Sequence, residues 1–248
     1  MLKKKKKDRG GAASLKHDRQ AVLREGSSFA VREAYKTLRT NLTFSVTAPG
    51  SKLIGVTSAV ASEGKSTNCL NIAISFAENG ARVIVLDCDM RRPNIARLLE
   101  CQATPGMSNV LVGVNDLEEA IQRDAYAGVD ILPAGDLPPN PTELLDSERM
   151  GEILEALRDR YDYILLDMPP VGAVADAMIL AKHLTGIVFV VRQGHSERDA
   201  VSGAIKQLEF AGAKVLGFVL NGVPLSRQGR YGRYNRYSYR YRYADYEK

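Results

Sequence analysis

The chain predicts an α/β architecture, a mostly parallel β-sheet covered by helices on both faces. Three observations lead there. Between residues 52 and 220, short apolar runs alternate with longer segments of helical periodicity. The runs are apolar almost from end to end, as strands buried on both faces must be. The first run passes into its helix through a turn of small residues ending in Gly64-Lys65-Ser66. With 248 residues, 45% hydrophobic and 25% charged, the chain suffices for one large domain or at most two small ones.

Residues 1–25 are polar and basic with weak periodicity, and read as a mobile arm. Over 28–45, Phe29, Ala34, Leu38, Leu42 and Phe44 recur at helical spacing, and Pro49-Gly50 stops that helix. Lys52–Thr57 is the first strand. A helix follows from Lys65 to about Asn79, closed by Gly80. Arg82–Leu86 is the second strand and Ile95–Leu99 a short helix. Residues 101–128 look irregular, with one short helix near Asp116–Arg123. Val129–Leu132 is a strand, and Pro138-Pro139-Asn140-Pro141 a rigid loop. Helices at Ser147–Asp159, Ala175–His183 and Glu197–Ala211 then alternate with strands at Tyr163–Leu166, Gly186–Val191 and Val215–Leu220. Past Pro224 the apolar periodicity stops, so residues 226–248 are expected to form a disordered tail.

The net charge of +5 is unevenly spread. Residues 1–9 carry six basic and one acidic side chain, and residues 227–248 carry seven basic and two acidic, leaving −5 on the remainder. An acidic body with two basic ends is not the footprint of a single basic surface. Seven of the eleven tyrosines lie in the tail: Tyr231, Tyr234, Tyr237, Tyr239, Tyr241, Tyr243 and Tyr246. No run of about 18 apolar residues is present, which predicts no transmembrane helix. The start MLKKKKKDRG lacks the apolar stretch of a secretory signal. Cys69, Cys88 and Cys101 have no metal-type spacing and suit a reducing compartment.

The turn Ala59-Val60-Ala61-Ser62-Glu63-Gly64-Lys65-Ser66 follows a strand and opens a helix, the context in which a short motif becomes a phosphate site. Small residues let backbone N–H groups converge on an anion, and the helix N-terminus adds its positive end. Lys65 is placed to reach the β- and γ-phosphates and the Ser66 hydroxyl to ligate Mg²⁺. Ala stands at the first position, where Gly is usual, so the motif is the relaxed form.

Asp87 and Asp89 alternate at the end of the second strand and share one side of it. Asp167 ends the apolar run Tyr163–Leu166. Strand ends of this architecture meet at one edge, beside the phosphate loop. Three carboxylates there are suited to holding Mg²⁺, directly or through water, and to accepting a proton. Arg91-Arg92 follow, suited to a phosphate or to another subunit's acid. Asn221, at the last strand's end, is a candidate for the adenine edge.

Taken together, the relaxed loop, the segment Val85-Leu86-Asp87-Cys88-Asp89-Met90-Arg91, the strand Ile164–Asp167, the run Pro138–Leu145 and the tyrosine cluster resemble the bacterial tyrosine kinases. The closer resemblance is to the separate cytoplasmic kinase subunits of capsule and exopolysaccharide systems, and it spans residues 28–248. It implies a P-loop NTPase-like scaffold over 26–225 that uses ATP and Mg²⁺. Ala61, Ser62, Glu63, Gly64, Lys65, Ser66, Thr67 and Asn221 would bind ATP, and Ser66, Asp89 and Asp167 the metal. Lys65, Asp87 and Asp89 would carry the chemistry, with the split between the two aspartates open and Asp87 the choice for handling the tyrosine hydroxyl. Glu33, Lys36 and Arg39 match an oligomerisation motif, with Lys36 in place of the usual Arg.

The resemblance further implies a ring of subunits in which each tail is phosphorylated in trans. It implies activation by the cytoplasmic segment of a transmembrane polysaccharide co-polymerase-type partner, a cognate tyrosine phosphatase, and a place at the inner face of the cell membrane. No nucleic acid is expected, although an Arg/Tyr tail alone would suit single strands. Two other readings compete. A partitioning or positioning ATPase would carry a lysine where Val60 stands and would lack the tail. A non-catalytic nucleotide-binding scaffold would not need Lys65, Ser66 and the three aspartates intact.

Overall fold

The computed structural model describes residues 19–47 and 49–223. Among them a seven-stranded sheet is formed by β1 (Lys52–Ser58), β2 (Val83–Asp87), β3 (Gln122–Tyr126), β4 (Val129–Leu132), β5 (Tyr163–Asp167), β6 (Gly186–Arg192) and β7 (Val215–Asn221). Its order is β3-β4-β2-β5-β1-β6-β7. Every neighbouring pair is parallel except β3 with β4. The helices are α1 (Phe29–Ser45), α2 (Lys65–Ala77), α3 (Ile95–Leu99), α4 (Met107–Leu111), α5 (Leu117–Ala120), α6 (Pro141–Asp146), α7 (Glu148–Arg158), α8 (Asp176–Ala181) and α9 (Arg198–Phe210).

Side chains alternate across each strand, so the sheet has two cores. Ile54, Val56, Val83, Val85, Leu165 and Val188 face α1, α2 and α3. Leu53, Ile84, Leu86, Ile164, Leu166 and Phe189 face α4 to α9. Helix α2 is buried nearly throughout, and its Phe76 ring stacks on Tyr163 of β5 at 3.8 Å between centroids. Helix α1 starts at Ser28, whose hydroxyl accepts the Val31 N–H, and packs Val31, Tyr35, Leu38 and Leu42 onto this layer.

The expected parallel strands and the mostly parallel sheet are present. The region 101–128 needs correction. It is not irregular around one helix at Asp116–Arg123: it holds α4, a helix α5 cut to Leu117–Ala120, and the antiparallel edge strand β3. Ala127 and Gly128, both at positive φ (49° and 78°), make a two-residue turn of the kind that joins antiparallel strands. Charged β3 lacks an apolar run because it lies at an edge, where charge discourages further pairing. The rigid loop at Pro138–Pro141 leads directly into α6, with Pro141 at its first position, where a missing N–H costs nothing. Residues 21–23, expected in a mobile arm, are instead packed on the domain. Val22 and Leu23 are 3% exposed, and Asn71 of α2 binds the backbone of both Ala21 and Leu23. The Lys3–Lys7 run and the seven tail tyrosines lie outside the described residues.

Candidate active site

Strand β1 delivers the chain into the phosphate loop at the C-terminal edge of the sheet. Ser62 (φ 66°) and Gly64 (φ 90°) are both left-handed there. Gly64 must be glycine for a second reason: a Cβ would sit 2.1 Å from Asn221 Nδ2. As the residue before α2, Gly64 has no capping side chain, so the first-turn N–H groups of α2 are left for a ligand.

Strands β2 and β5 end beside the loop in register, Asp87 opposite Asp167, and β5 also pairs with β1 through Val56. Lys65, from the first turn of α2, reaches over these ends. Its Nζ lies 2.7 Å from Asp89 Oδ2 and 3.6 Å from Asp167 Oδ1. Burial pushes the Lys65 ammonium down, and the charges of Asp167 and Asp89 more than offset this, leaving it raised and protonated. Asp167 is wholly buried, and neither of its carboxylate oxygens has a hydrogen-bond partner. Burial raises its carboxyl, opposed by Lys65.

Asp87 is equally buried but well partnered. Its Oδ2 accepts from Asn94 N and Ile95 N, both at 3.0 Å, and its Oδ1 from Asp89 N at 3.2 Å. Burial and the Asp167 charge push Asp87 up to about 7, against those N–H groups and Lys65. A carboxylate has about four lone-pair sites, so one, on Oδ1, remains free.

The residues fit Mg²⁺. The Ser66 hydroxyl, Asp89 and the carboxylate oxygens of Asp167 are hard oxygen donors at one edge. Among the described residues no group of three or more His, Cys, Asp and Glu is arranged to hold a metal alone. Mg²⁺ does not require one, because it keeps waters and binds through one or two carboxylates plus phosphates. A cleft of about 1260 Å³ opens in front of these groups, lined by Gly64, Lys65, Arg92, Arg192, Asn221 and the face of α1 around Tyr35.

Residues 61, 62 and 64–67 and the three aspartates converge at one edge of the sheet. Others lie differently. Glu63 turns its side chain beneath the loop, fully buried, where it accepts from Val60 N at 2.9 Å and from the Ser196 hydroxyl. The Asn221 amide donates to Glu63 O at 2.9 Å and accepts from Gly222 N, so it bears on the loop as well as on the cleft. Arg91 is engaged within the chain: it bonds to buried Asp176 at 3.0 Å and to Thr142 Oγ1 at 2.7 Å. Arg92 stays exposed at the cleft. On α1, Lys36 pairs with Glu33 at 2.7 Å, and Arg39 donates to Ser75 O of α2 at 2.6 Å. Sequence reasoning missed Arg192, His195 and Ser196, which press on the loop from the β6–α9 turn. The segment Arg192–Ser196 carries no motif that could have drawn attention to them.

The AAA domain family matches residues 51–204. Tyrosine-protein kinase YwqD of Bacillus subtilis (strain 168) is 37% identical over 202 residues, which cover 82% of this chain and 85% of that protein. The chain belongs to the bacterial tyrosine-protein kinases. The solved kinase domain of Escherichia coli tyrosine kinase ETK matches this kinase with a TM-score of 0.75 and 33% identity, over 78% of this chain and 76% of that one. The septum site-determining protein MinD of Pyrococcus horikoshii OT3, complexed with Mg-ADP, shares the fold at a TM-score of 0.59 and 28% identity, covering 74% and 72% of the two chains. The positioning-ATPase alternative is not favoured, since the kinase resemblance is stronger and Val60 replaces the extra lysine. No helix among the described residues is long and apolar enough to cross a membrane.

Proposed function

We propose that this kinase transfers the terminal phosphate of ATP to its own C-terminal tyrosines, in trans within a homo-oligomer, as the kinase subunit of a capsule or exopolysaccharide system. One observation carries the reading. Lys65 is held between Asp89 and the buried Asp167, whose oxygens make no close hydrogen bond, at the mouth of an uncapped phosphate loop. Three carboxylates against one lysine leave this edge short of positive charge, which suits a metal–nucleotide complex.

The backbone N–H groups of Ala61 to Thr67 cradle the phosphates, and Lys65 swings from Asp89 toward the transferring group. Ser66, Asp89 and Asp167 would hold Mg²⁺, which would supply positive charge to offset what develops on the transferring phosphate. Asp87 orients the incoming tyrosine hydroxyl with the free lone pair of Oδ1 and takes its proton late in the transfer. A carboxyl that burial and Asp167 hold well above its ordinary range is suited to that exchange. The second lone pair of Asn221 Oδ1 is left for the exocyclic amine of adenine.

The tail fits the acceptor role better than the body does. Among the described tyrosines, the hydroxyls of Tyr35, Tyr126 and Tyr161 already donate to Asn68, Leu23 O and Asp130. Tyr231, Tyr234, Tyr237, Tyr239, Tyr241, Tyr243 and Tyr246 lie on a segment whose +5 charge complements the acidic body. Each phosphate adds about −1.5 to −2, so full modification reverses the tail's sign and loosens its docking. Helix α1, with Glu33, Lys36 and Arg39, joins subunits. The cytoplasmic segment of a transmembrane co-polymerase-type partner activates the enzyme at the inner membrane face, and a tyrosine phosphatase resets it.

Incubating the full chain with ATP and Mg²⁺, with and without that segment, and probing for phosphotyrosine tests the proposal. Labelling of a Lys65→Ala chain by added wild-type enzyme is the expected sign of transfer in trans. Absence of phosphotyrosine under both conditions would sink the reading.

A further inference from the structure

Three successive carbonyls of the phosphate loop are each held by a different side chain from the β6–β7 side. His195 Nε2 lies 3.0 Å from Ala61 O, Arg192 Nη1 donates to Ser62 O at 2.8 Å, and Asn221 Nδ2 donates to Glu63 O at 2.9 Å. The underside is knitted to the same turn. The Ser196 hydroxyl donates to the Glu63 carboxylate and accepts from Arg192 N at 2.7 Å. None of these donors belongs to the loop. Arg192 ends β6, His195 and Ser196 lie in the turn before α9, and Asn221 ends β7.

A trans peptide unit is planar, with its C=O and the next residue's N–H pointing in opposite directions. Pinning a carbonyl therefore aims the following N–H. With the carbonyls of Ala61, Ser62 and Glu63 held from the β6–β7 side, the N–H groups of Ser62, Glu63 and Gly64 are directed the opposite way. Left-handed Ser62 and Gly64 alternate with Glu63, the pattern that curls successive N–H groups into an anion-binding nest.

We infer that Arg192 and His195, beside the nucleotide-facing Asn221, are positioning residues for ATP binding, which hold the loop's N–H groups aimed at the nucleotide before it arrives. Donors set in advance need no reorganisation when the ligand binds. The inference rests on the reading of this loop as the ATP site and extends it to a strand-end clamp outside the motif. Arg192 and His195 are exposed, so replacing them leaves both cores intact.

The test uses the full chain and its Arg192→Ala, His195→Ala and His195→Gln variants. For each, KM for ATP and kcat for tail phosphorylation are measured, with Mg-ADP affinity and amide exchange across residues 59–66. Arg192→Ala and His195→Ala should each weaken Mg-ADP binding and raise KM about 5- to 10-fold, the size of one hydrogen bond lost from a preset site. Their kcat should stay within about twofold, and exchange at residues 62–64 should quicken. His195→Gln, whose amide can donate to the same carbonyl, should restore affinity to within about twofold. Unchanged affinity and exchange, a loss confined to kcat, or a glutamine variant as weak as the alanine one would overturn the inference. Wild-type protein that fails to bind Mg-ADP would overturn the ATP reading beneath it as well.

Discussion

Two charged clusters serve this kinase in opposite ways. At the centre of the sheet, Lys65 faces Asp87, Asp89 and Asp167, all buried, and the Asp167 oxygens are without hydrogen-bond partners. At the β3 edge, Glu118, Arg123, Asp130, Arg160 and Tyr161 form a network in which every charge has an opposite partner. Arg123 bonds to both Glu118 and Asp130 at 2.9 Å, Arg160 reaches Glu118, and Tyr161 donates to Asp130 at 2.6 Å. The edge cluster is self-sufficient and partly solvated, and it ties the β3–β4 hairpin to α5 and to the chain that follows α7. The central cluster is short of positive charge in a place without water to soften the deficit. That imbalance persists in a native fold because something brought from outside completes it.

The comparison breaks first at Lys65. Replacing it with alanine removes the cluster's one cation and should lower autophosphorylation by about 10²- to 10³-fold, the scale seen when one preset charge-stabilising donor is lost. Anti-phosphotyrosine detection reads this directly. A Lys65→Ala enzyme with near-normal activity would mean that the central cluster is as self-contained as the edge.

A finer probe is pH. Burial and the neighbouring Asp167 push the Asp87 carboxyl from its ordinary 3.8 up to about 7 in the fold. Between those values the folded chain keeps a proton that the unfolded chain has lost, so Asp87 makes nucleotide-free protein less stable as pH rises from about 4 to 7. Asp87→Asn, which cannot ionise, should flatten that slope, leaving the part that comes from Asp167, whose carboxyl burial also raises. Thermal melts of both proteins at pH 5 and pH 7.5 test this, and parallel shifts would show that the central charge deficit is not expressed in stability.

The smallest effect belongs to the edge. Arg160 holds Glu118 below the usual carboxylate range, yet the Glu118 side chain is 63% exposed. Glu118→Ala should cost no more than about 1 kcal/mol in urea unfolding and leave kinase activity untouched. A larger loss would make this network a structural element in its own right.

Whatever is written locally was legible in the chain. Near-continuous apolar runs such as Val83–Leu86 announce strands buried on both faces. Gly64-Lys65-Ser66 between a run and a helix announces a phosphate loop, and Asp87 and Asp167 at the ends of such runs had to arrive at the same edge. Strand β3 was not legible, because Gln122-Arg123-Asp124 is stabilised by its neighbour and by solvent rather than by burial. Helix α6 was hidden by prolines whose rigidity starts a helix as readily as it stiffens a loop.

The sequence by itself therefore determined the layered sheet, the loop and the identity of the charged groups around it, since periodicity and motif spacing act over a few residues. Only the tertiary structure decided which of those groups touch. It turned Glu63 beneath the loop, tied Arg91 to Asp176, and brought Arg192, His195 and Asn221 behind carbonyls more than a hundred residues earlier in the chain. Such partners are chosen by strand order and register. β1 lies between β5 and β6, and β7 beyond them, so a site written in several distant segments is assembled where their ends meet.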